Sequence, residues 1–262
     1  MIARGIECLG LGKSDLDVTD SDAVSQTLQK HNPDVVFHCA AFTAVDRAES
    51  EQSSAFSVNR DGARSVALAC GEIAARMVFF STDYVFSGAK QALYSPCDEP
   101  DPISSYGRSK LAGENEILAS GVEALLIRTS WLYGSGRQNF VRAIVQRARE
   151  GKTLRLVDDQ IGSPTWTMCL AEATLDLVGG SASGLYHITN AGQASWYELG
   201  REALSICRLE REIEPISAED WGAPAPRPQY SVLDSSKAEM VLGRSMSPWR
   251  RALKRFLNEE FE

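Results

Sequence analysis

The chain has 262 residues, enough to bury a core as one large or two unequal domains. Hydrophobic residues make up 44% and charged residues 24%, ordinary for a soluble globular protein, and no apolar run is long enough to span a bilayer. The net charge of −8 argues against a nucleic-acid surface, though an anionic ligand can still be held at a helix N-terminus or by an Arg side chain.

Short apolar runs alternate with amphipathic stretches, which predicts βαβ units around a parallel sheet. Residues 6–11 read as a strand, Asp20 as the N-cap of a helix from Ser21 to about Lys30, and residues 35–39 as the next strand. A long helical stretch over 55–75 leads to a strand at 77–80. The helix containing Tyr106 runs to about Ala119, a strand follows at 124–128, and a helix over 139–150 stops at Gly151. Beyond it the pattern thins to short strands at 154–157 and 185–188 and helices at 167–178 and 196–207. Residues 223–228 form a Pro-rich irregular segment, and Ser247 (N-cap) with Pro248 (first helical residue) opens a closing amphipathic helix. The expected fold is α/β: a doubly wound parallel sheet in a dinucleotide-binding domain over 1–150, and a smaller C-terminal substrate domain over 151–262, one segment of which returns to the sheet.

Tyr106 and Lys110, four residues apart on a helix, share a face and can reach one small molecule. A phenol is a poor acid or base at neutral pH, and a nearby ammonium favours its ionised form. Alone, so short a pattern of common residues is better read as a packed Tyr at a helix start beside a solvated Lys. Upstream, however, the apolar run 77–80 ends abruptly in Ser81-Thr82-Asp83, the pattern of a buried parallel strand whose carboxyl end opens into a site. Thr82 there offers a hydroxyl to a substrate carbonyl beside the Tyr106 proton. Hydroxyl, phenol and ammonium together suit reduction of a ketone, with the hydride drawn from a nicotinamide cofactor.

Six cysteines (Cys8, Cys39, Cys70, Cys97, Cys169, Cys207) show no metal-ligand spacing, and Cys39 and Cys70 read as small core residues. His31, His38 and His187 read as structural, and no metal site is expected. With no signal-like segment, the cytoplasm is the expected compartment.

The ordered set of motifs resembles the extended short-chain dehydrogenase/reductase superfamily, and within it the dTDP-4-dehydrorhamnose reductase family. The segments are Asp15-Leu16-Asp17-Val18-Thr19-Asp20, Ala40-Ala41-Phe42-Thr43-Ala44-Val45-Asp46, Ser81-Thr82-Asp83-Tyr84-Val85-Phe86, Tyr106 through Glu114, Arg128-Thr129-Ser130-Trp131-Leu132-Tyr133-Gly134 and Asp159-Gln160-Ile161-Gly162-Ser163-Pro164-Thr165. The resemblance implies a Rossmann-like fold and NADPH- or NADH-dependent reduction of a dTDP-sugar ketone, with Thr82, Tyr106 and Lys110 catalytic. It implies cofactor contacts at Asp17, Ala40, Ala41, Tyr106, Lys110 and Thr129, and substrate contacts at Thr43 and Val45. Tyr84 and Trp131 are expected beside the sugar or base, and Arg227 near a substrate phosphate; core packing for the two aromatics and a solvated loop for Arg227 stay open. Mg²⁺ at a homodimer interface is implied by the resemblance alone.

The likeness breaks at the N-terminus, where residues 1–5 match the end of the family's first helix and the first strand and Gly-rich turn are missing. Gly10-Leu11-Gly12 reads as the end of a strand, not as a replacement turn. The first strand is central in such a sheet, so neighbouring strands should be left unpaired. The expectation is an N-terminally incomplete form of a working reductase. The competing readings are an enzyme for another nucleotide sugar, reductase or epimerase, and a non-catalytic regulatory protein or remnant that binds dinucleotide poorly.

Overall fold

A computed structural model describes residues 5–136 and 138–261. In chain order the first half runs α1 (Ser21–His31), β1 (Val35–His38), α2 (Val45–Ser50), α3 (Gln52–Phe56), a π-helical turn (Ser57–Asp61), α4 (Gly62–Glu72), β2 (Arg76–Thr82), a 3-10 turn (Asp83–Val85), α5 (Ser105–Ser120) and β3 (Ala124–Thr129). The second half runs β4 (Leu132–Tyr133), α6 (Phe140–Arg149), β5 (Leu154–Val157), β6 (Ile161–Gly162), β7 (Thr165–Trp166), α7 (Thr167–Gly179) and β8 (Gly184–His187). It closes with β9 (Ala194–Ser195), α8 (Trp196–Ile206), β10 (Ile213–Ile216), α9 (Ala218–Trp221), α10 (Ser236–Leu242) and α11 (Trp249–Phe261).

The central sheet is parallel, in the order β1-β2-β3-β8. Its strands are apolar on both faces because helices cover both. Met77, Phe79 and Leu126 point into the layer of Val24, Val66, Ala67 and Ile117 from α1, α4 and α5. Val78, Leu125 and Ile127 point the other way, onto Leu170, Ala173 and Leu177 of α7 and Ala238 of α10. β8 is the late segment that rejoins the sheet, in register Leu125↔Gly184 to Arg128↔His187. A separate core joins α6, α8 and α11 through Val141, Val145, Leu199, Ala203, Leu253 and Phe256.

α1 forms as its caps dictate: the Asp20 carboxylate accepts from Ala23 N at 3.0 Å, and the helix ends at Asn32 in the left-handed region. Residues 6–11, by contrast, form no strand. Ile6, Leu9 and Leu11 are exposed, and Gly10-Leu11-Gly12 leads into a turn in which the Gly12 carbonyl accepts from Asp15 N and Leu16 N. A strand needs a neighbour for its backbone groups, and β1, paired with β2 along one side, has no partner on its other side among the described residues. Residues 1–4, matched above to the end of a first helix, lie outside the described residues.

Smaller details differ as well. The helical stretch expected over 55–75 runs unbroken from Gln52 to Glu72, and the π-helical turn inside it, between α3 and α4, swings Asn59 inward to bind neighbouring segments. Cys39 is exposed, since β1 ends one residue earlier, whereas Cys70 is core. The last helix starts at Trp249, because Pro248 is bridged to Ala191, whose N–H donates to the Ser247 carbonyl. β10, which pairs with β5, was hidden from pattern reading by Glu214 and Pro215 in its middle.

α5 lies close enough to the π-helical turn that a methyl group on Gly113 would overlap the Asn59 carbonyl oxygen. Gly113→Ala is therefore expected to lower unfolding stability by about 1–3 kcal/mol, measured by urea denaturation; an unchanged midpoint would show that the contact yields freely.

Candidate active site

The site is built where β2 and β3 end. Thr82 is the last residue of β2, and its hydroxyl accepts from Tyr84 N at 3.1 Å, turning the chain into the 3-10 turn. Thr129 sits beside it in register on β3, its buried hydroxyl without a hydrogen-bond partner among the described residues. α5 starts nearby, with the Ser104 hydroxyl accepting from Gly107 N at 3.1 Å and the Glu49 carboxylate accepting from Ser105 N at 2.7 Å. Gly107 lets the helix press on the Tyr84 carbonyl, where any side chain would collide. The Tyr106 ring consequently meets Tyr84 edge-on at 5.8 Å, and the Thr82 hydroxyl lies close enough to Tyr106 to favour its phenolate.

Lys110, one turn further along, is 2% exposed, with its ammonium 4.0 Å above the Phe79 ring. Burial lowers its pKa to about 7, opposed by the Glu114 carboxylate. Glu114 is itself bound to Arg128 through two contacts of 3.0 and 2.6 Å. Burial pushes the Tyr106 phenol up to about 12, with the Thr82 hydroxyl pulling the other way. Desolvation thus outweighs the help that Thr82 gives to the phenolate.

The loop 39–44 is fixed by Asn59, whose carbonyl oxygen accepts from Phe42 N at 2.8 Å and whose amide donates to the Phe42 carbonyl and the Ser109 hydroxyl. Ser109 in turn donates to the Tyr106 carbonyl at 2.8 Å, so Ala40, Ala41 and Thr43 are tied to the Tyr106–Lys110 helix through one buried amide. Val45 opens α2, and Asp46 beside it receives Arg227 Nη2 at 3.0 Å and Ala225 N at 3.2 Å. Arg227 also donates to the Ala225 carbonyl at 2.9 Å and is largely buried, so it is no solvated loop residue. Trp131 has a left-handed backbone, φ 47°, and stacks on Trp196 at 3.5 Å with 4° between the planes. Gly162 lies against the same indole, where a Cβ would collide. Asp17 stands apart: it is exposed and accepts from Thr19 N and Oγ1 at 3.0 and 2.8 Å.

Pattern reading missed Asn59, Asp83, Trp196 and Ser231. Asp83 is buried, with the Ser231 hydroxyl donating to it at 2.6 Å across 148 residues of chain. The one signal in the sequence was an acid following an apolar strand; its partner could not be read there.

A family model, the RmlD substrate binding domain, matches residues 1–261. The chain belongs to that family. A spore coat polysaccharide biosynthesis protein of Bacillus subtilis (strain 168) is 40% identical over 97% of this chain and 89% of its own. The dTDP-4-dehydrorhamnose reductase of Streptomyces griseus is 38% identical over 95% of this chain and 84% of its own. Among solved structures, the Bacillus anthracis (strain Ames) dTDP-4-dehydrorhamnose reductase in complex with NADP superimposes with a TM-score of 0.95 at 36% identity, covering 98% of this chain and 92% of that one. No helix among the described residues is long and apolar enough to cross a membrane, and no cluster of three or more His, Cys, Asp or Glu among them is placed to hold a metal ion.

Because Lys110 is lowered from 10.5 to about 7 on folding, the unfolded chain binds more protons between those values. The stability of the wild type relative to Lys110→Met is thus expected to rise with pH from about 7 to about 10. Parallel denaturation curves with a constant difference across that window would contradict a buried, deprotonating amine.

Proposed function

We propose that this chain is an NAD(P)H-dependent oxidoreductase that reduces the C4 ketone of dTDP-4-dehydrorhamnose to give dTDP-L-rhamnose. The observation that carries the reading is the hydroxyl pair of Thr82 and Tyr106 at the carboxyl ends of parallel strands, with buried Lys110 one helical turn away. The family's reductases and the NADP-bound neighbour support the same chemistry and the same class of cofactor.

The residues fit the nicotinamide end of such a cofactor. Lys110 would hold the nicotinamide ribose, the unpartnered Thr129 hydroxyl lies at the adjoining strand end, and Ala40 and Ala41 present little but backbone beside them. For the phosphates, the described residues offer no Gly-rich turn running into a helix, and α1 opens on Asp20 and Asp22, which repel an anion. Asp17 is assigned to the adenine side. When bound, the nicotinamide supplies hydride to the carbonyl carbon. Tyr106 then gives its proton to the carbonyl oxygen. Burial serves this direction of reaction, because a phenol held near 12 keeps its proton at neutral pH until a stronger base, the oxygen being reduced, develops beside it.

Thr82 orients that oxygen. Thr43, Val45, Tyr84 and Trp131 line the sugar and base side, with Arg227 toward the diphosphate once it releases Asp46. Among the described residues no cluster of three or more His, Cys, Asp or Glu suits Mg²⁺.

Tyr106→Phe is expected to lower kcat for reduction by about 10²–10⁴-fold while NADPH binding, followed by fluorescence titration, is retained. Product formation from a panel of nucleotide sugars with NADPH and NADH measures the activity. Equal rates for the two proteins would remove Tyr106 as the acid.

A further inference from the structure

The hydroxyl of Thr82 has one proton and two lone pairs, and three groups compete for them: Tyr84 N at 3.1 Å, Asp83 Oδ1 at 3.2 Å and the Tyr106 hydroxyl. The backbone N–H can only donate, which takes one lone pair. What remains is one lone pair and one proton, to be shared between Asp83 and Tyr106.

If Asp83 is a carboxylate it can only accept. Thr82 then gives its proton to Asp83, and its last lone pair draws in the Tyr106 O–H, pointing the acid's proton away from the substrate. If Asp83 carries a proton, the chain reverses: Asp83 donates to Thr82, Thr82 donates to the Tyr106 oxygen, and the Tyr106 proton is left facing the cleft. Ser231 supports this second arrangement, because it donates to the other carboxyl oxygen, Oδ2, at 2.6 Å and leaves Oδ1 as the place for the acid proton.

We propose that Asp83 is a positioning residue whose protonated form sets the direction of the Asp83–Thr82–Tyr106 hydrogen-bond chain, aiming the Tyr106 proton at the ketone. The inference rests on the roles given above to Thr82 and Tyr106. The surroundings of Asp83 favour the neutral acid. From its own turn come Thr82 and Tyr84. From α5 come Tyr106 and, one turn on, Lys110 with its ammonium over Phe79. The C-terminal segment brings Ser231 and, through Tyr84, Arg227. No cation hydrogen-bonds Asp83 among the described residues, and the group is 2% exposed. Burial raises it to about 7, against the pull of Ser231, Thr82 and two backbone N–H groups.

The test is the ratio of kcat/KM for Asp83→Asn to that of the wild type across pH. An Asn amide donates to Thr82 and accepts from Ser231, fixing the productive direction at every pH. The variant is expected to stay within a few-fold of wild type at about pH 6, with the ratio climbing about tenfold by about pH 8 as the wild type loses its proton. A ratio that stays flat, or a hundredfold loss at pH 6 with an unchanged Tm, would overturn the proposal. Should that variant fold poorly, Ser231→Ala serves instead. Removing a donor to the carboxylate is expected to move the high-pH decline of kcat/KM to higher pH, and no movement or a downward one counts against the idea. Infrared titration of the wild type gives a readout free of turnover: a carboxylic acid band at pH 6, lost above pH 8 and missing in Asp83→Asn, is expected, and its absence at pH 6 refutes the inference. A wild type that reduces no nucleotide sugar would sink the functional reading, and the infrared result would still decide where the proton sits.

Discussion

Everything in the site depends on how closely α5 can approach the backbone beside it. At Gly107 the helix rests on the Tyr84 carbonyl, and at Gly113 it rests on the Asn59 carbonyl. Those two contacts, six residues apart, fix the height and the roll of the helix against the end of β2. Tyr106 and Lys110 lie on the stretch between or beside them, so their positions follow from the seating of the helix and not from their own flexible stems. Rigid elements hold a reacting geometry better than loops do, and here the one loop involved, 39–44, is clamped to the same helix by Asn59.

The electrostatics follow from that seating. Pressing α5 onto the sheet buries Lys110, Glu114 and Arg128 together, each 2% exposed. The bidentate Arg128–Glu114 pair satisfies most of its own charge, and it leaves a carboxylate whose field favours the ammonium of Lys110. Without that field the amine would be still harder to charge. His38, stacked on Phe79 at 5.8 Å, and His187, whose Nδ1 lies 3.0 Å from the Tyr94 carbonyl, are both held neutral by burial, their values lowered to about 3. The neighbourhood of the acid thus contains few permanent charges, and the direction of hydrogen bonds matters more than the Coulomb field of any one residue.

Much of this was legible in the chain. Apolar runs of strand length between amphipathic stretches specify a parallel sheet with both faces covered, and the abrupt change at Ser81-Thr82-Asp83 marks a strand opening into a site. What could not be read has physical causes. Residues 6–11 have a strand-like composition, but pairing is a property of two segments, and composition reports only one. Asn59 looked like an ordinary helical polar residue, because its use depends on a π-helical turn that has no sequence signature. How strongly desolvation acts on Tyr106 and Lys110 depends on how deeply the pair is packed, which spacing does not report. Arg227 and Ser231 meet Asp46 and Asp83 across 181 and 148 residues, separations at which no periodicity carries information.

Those two long-range contacts also bear on how the protein is made. Thr82, Tyr106 and Lys110 lie in the first half of the chain, and the sheet strands that carry them are contiguous with local helices that can fold early. Asp46 and Asp83 nevertheless wait for partners at residues 225, 227 and 231. A chain still emerging from the ribosome has helix α5 before it has Arg227 and Ser231, so Asp83 stands with only the donors of its own turn until Ser231 is made. The arrangement around the two acids is complete only once the chain has been made as far as Ser231.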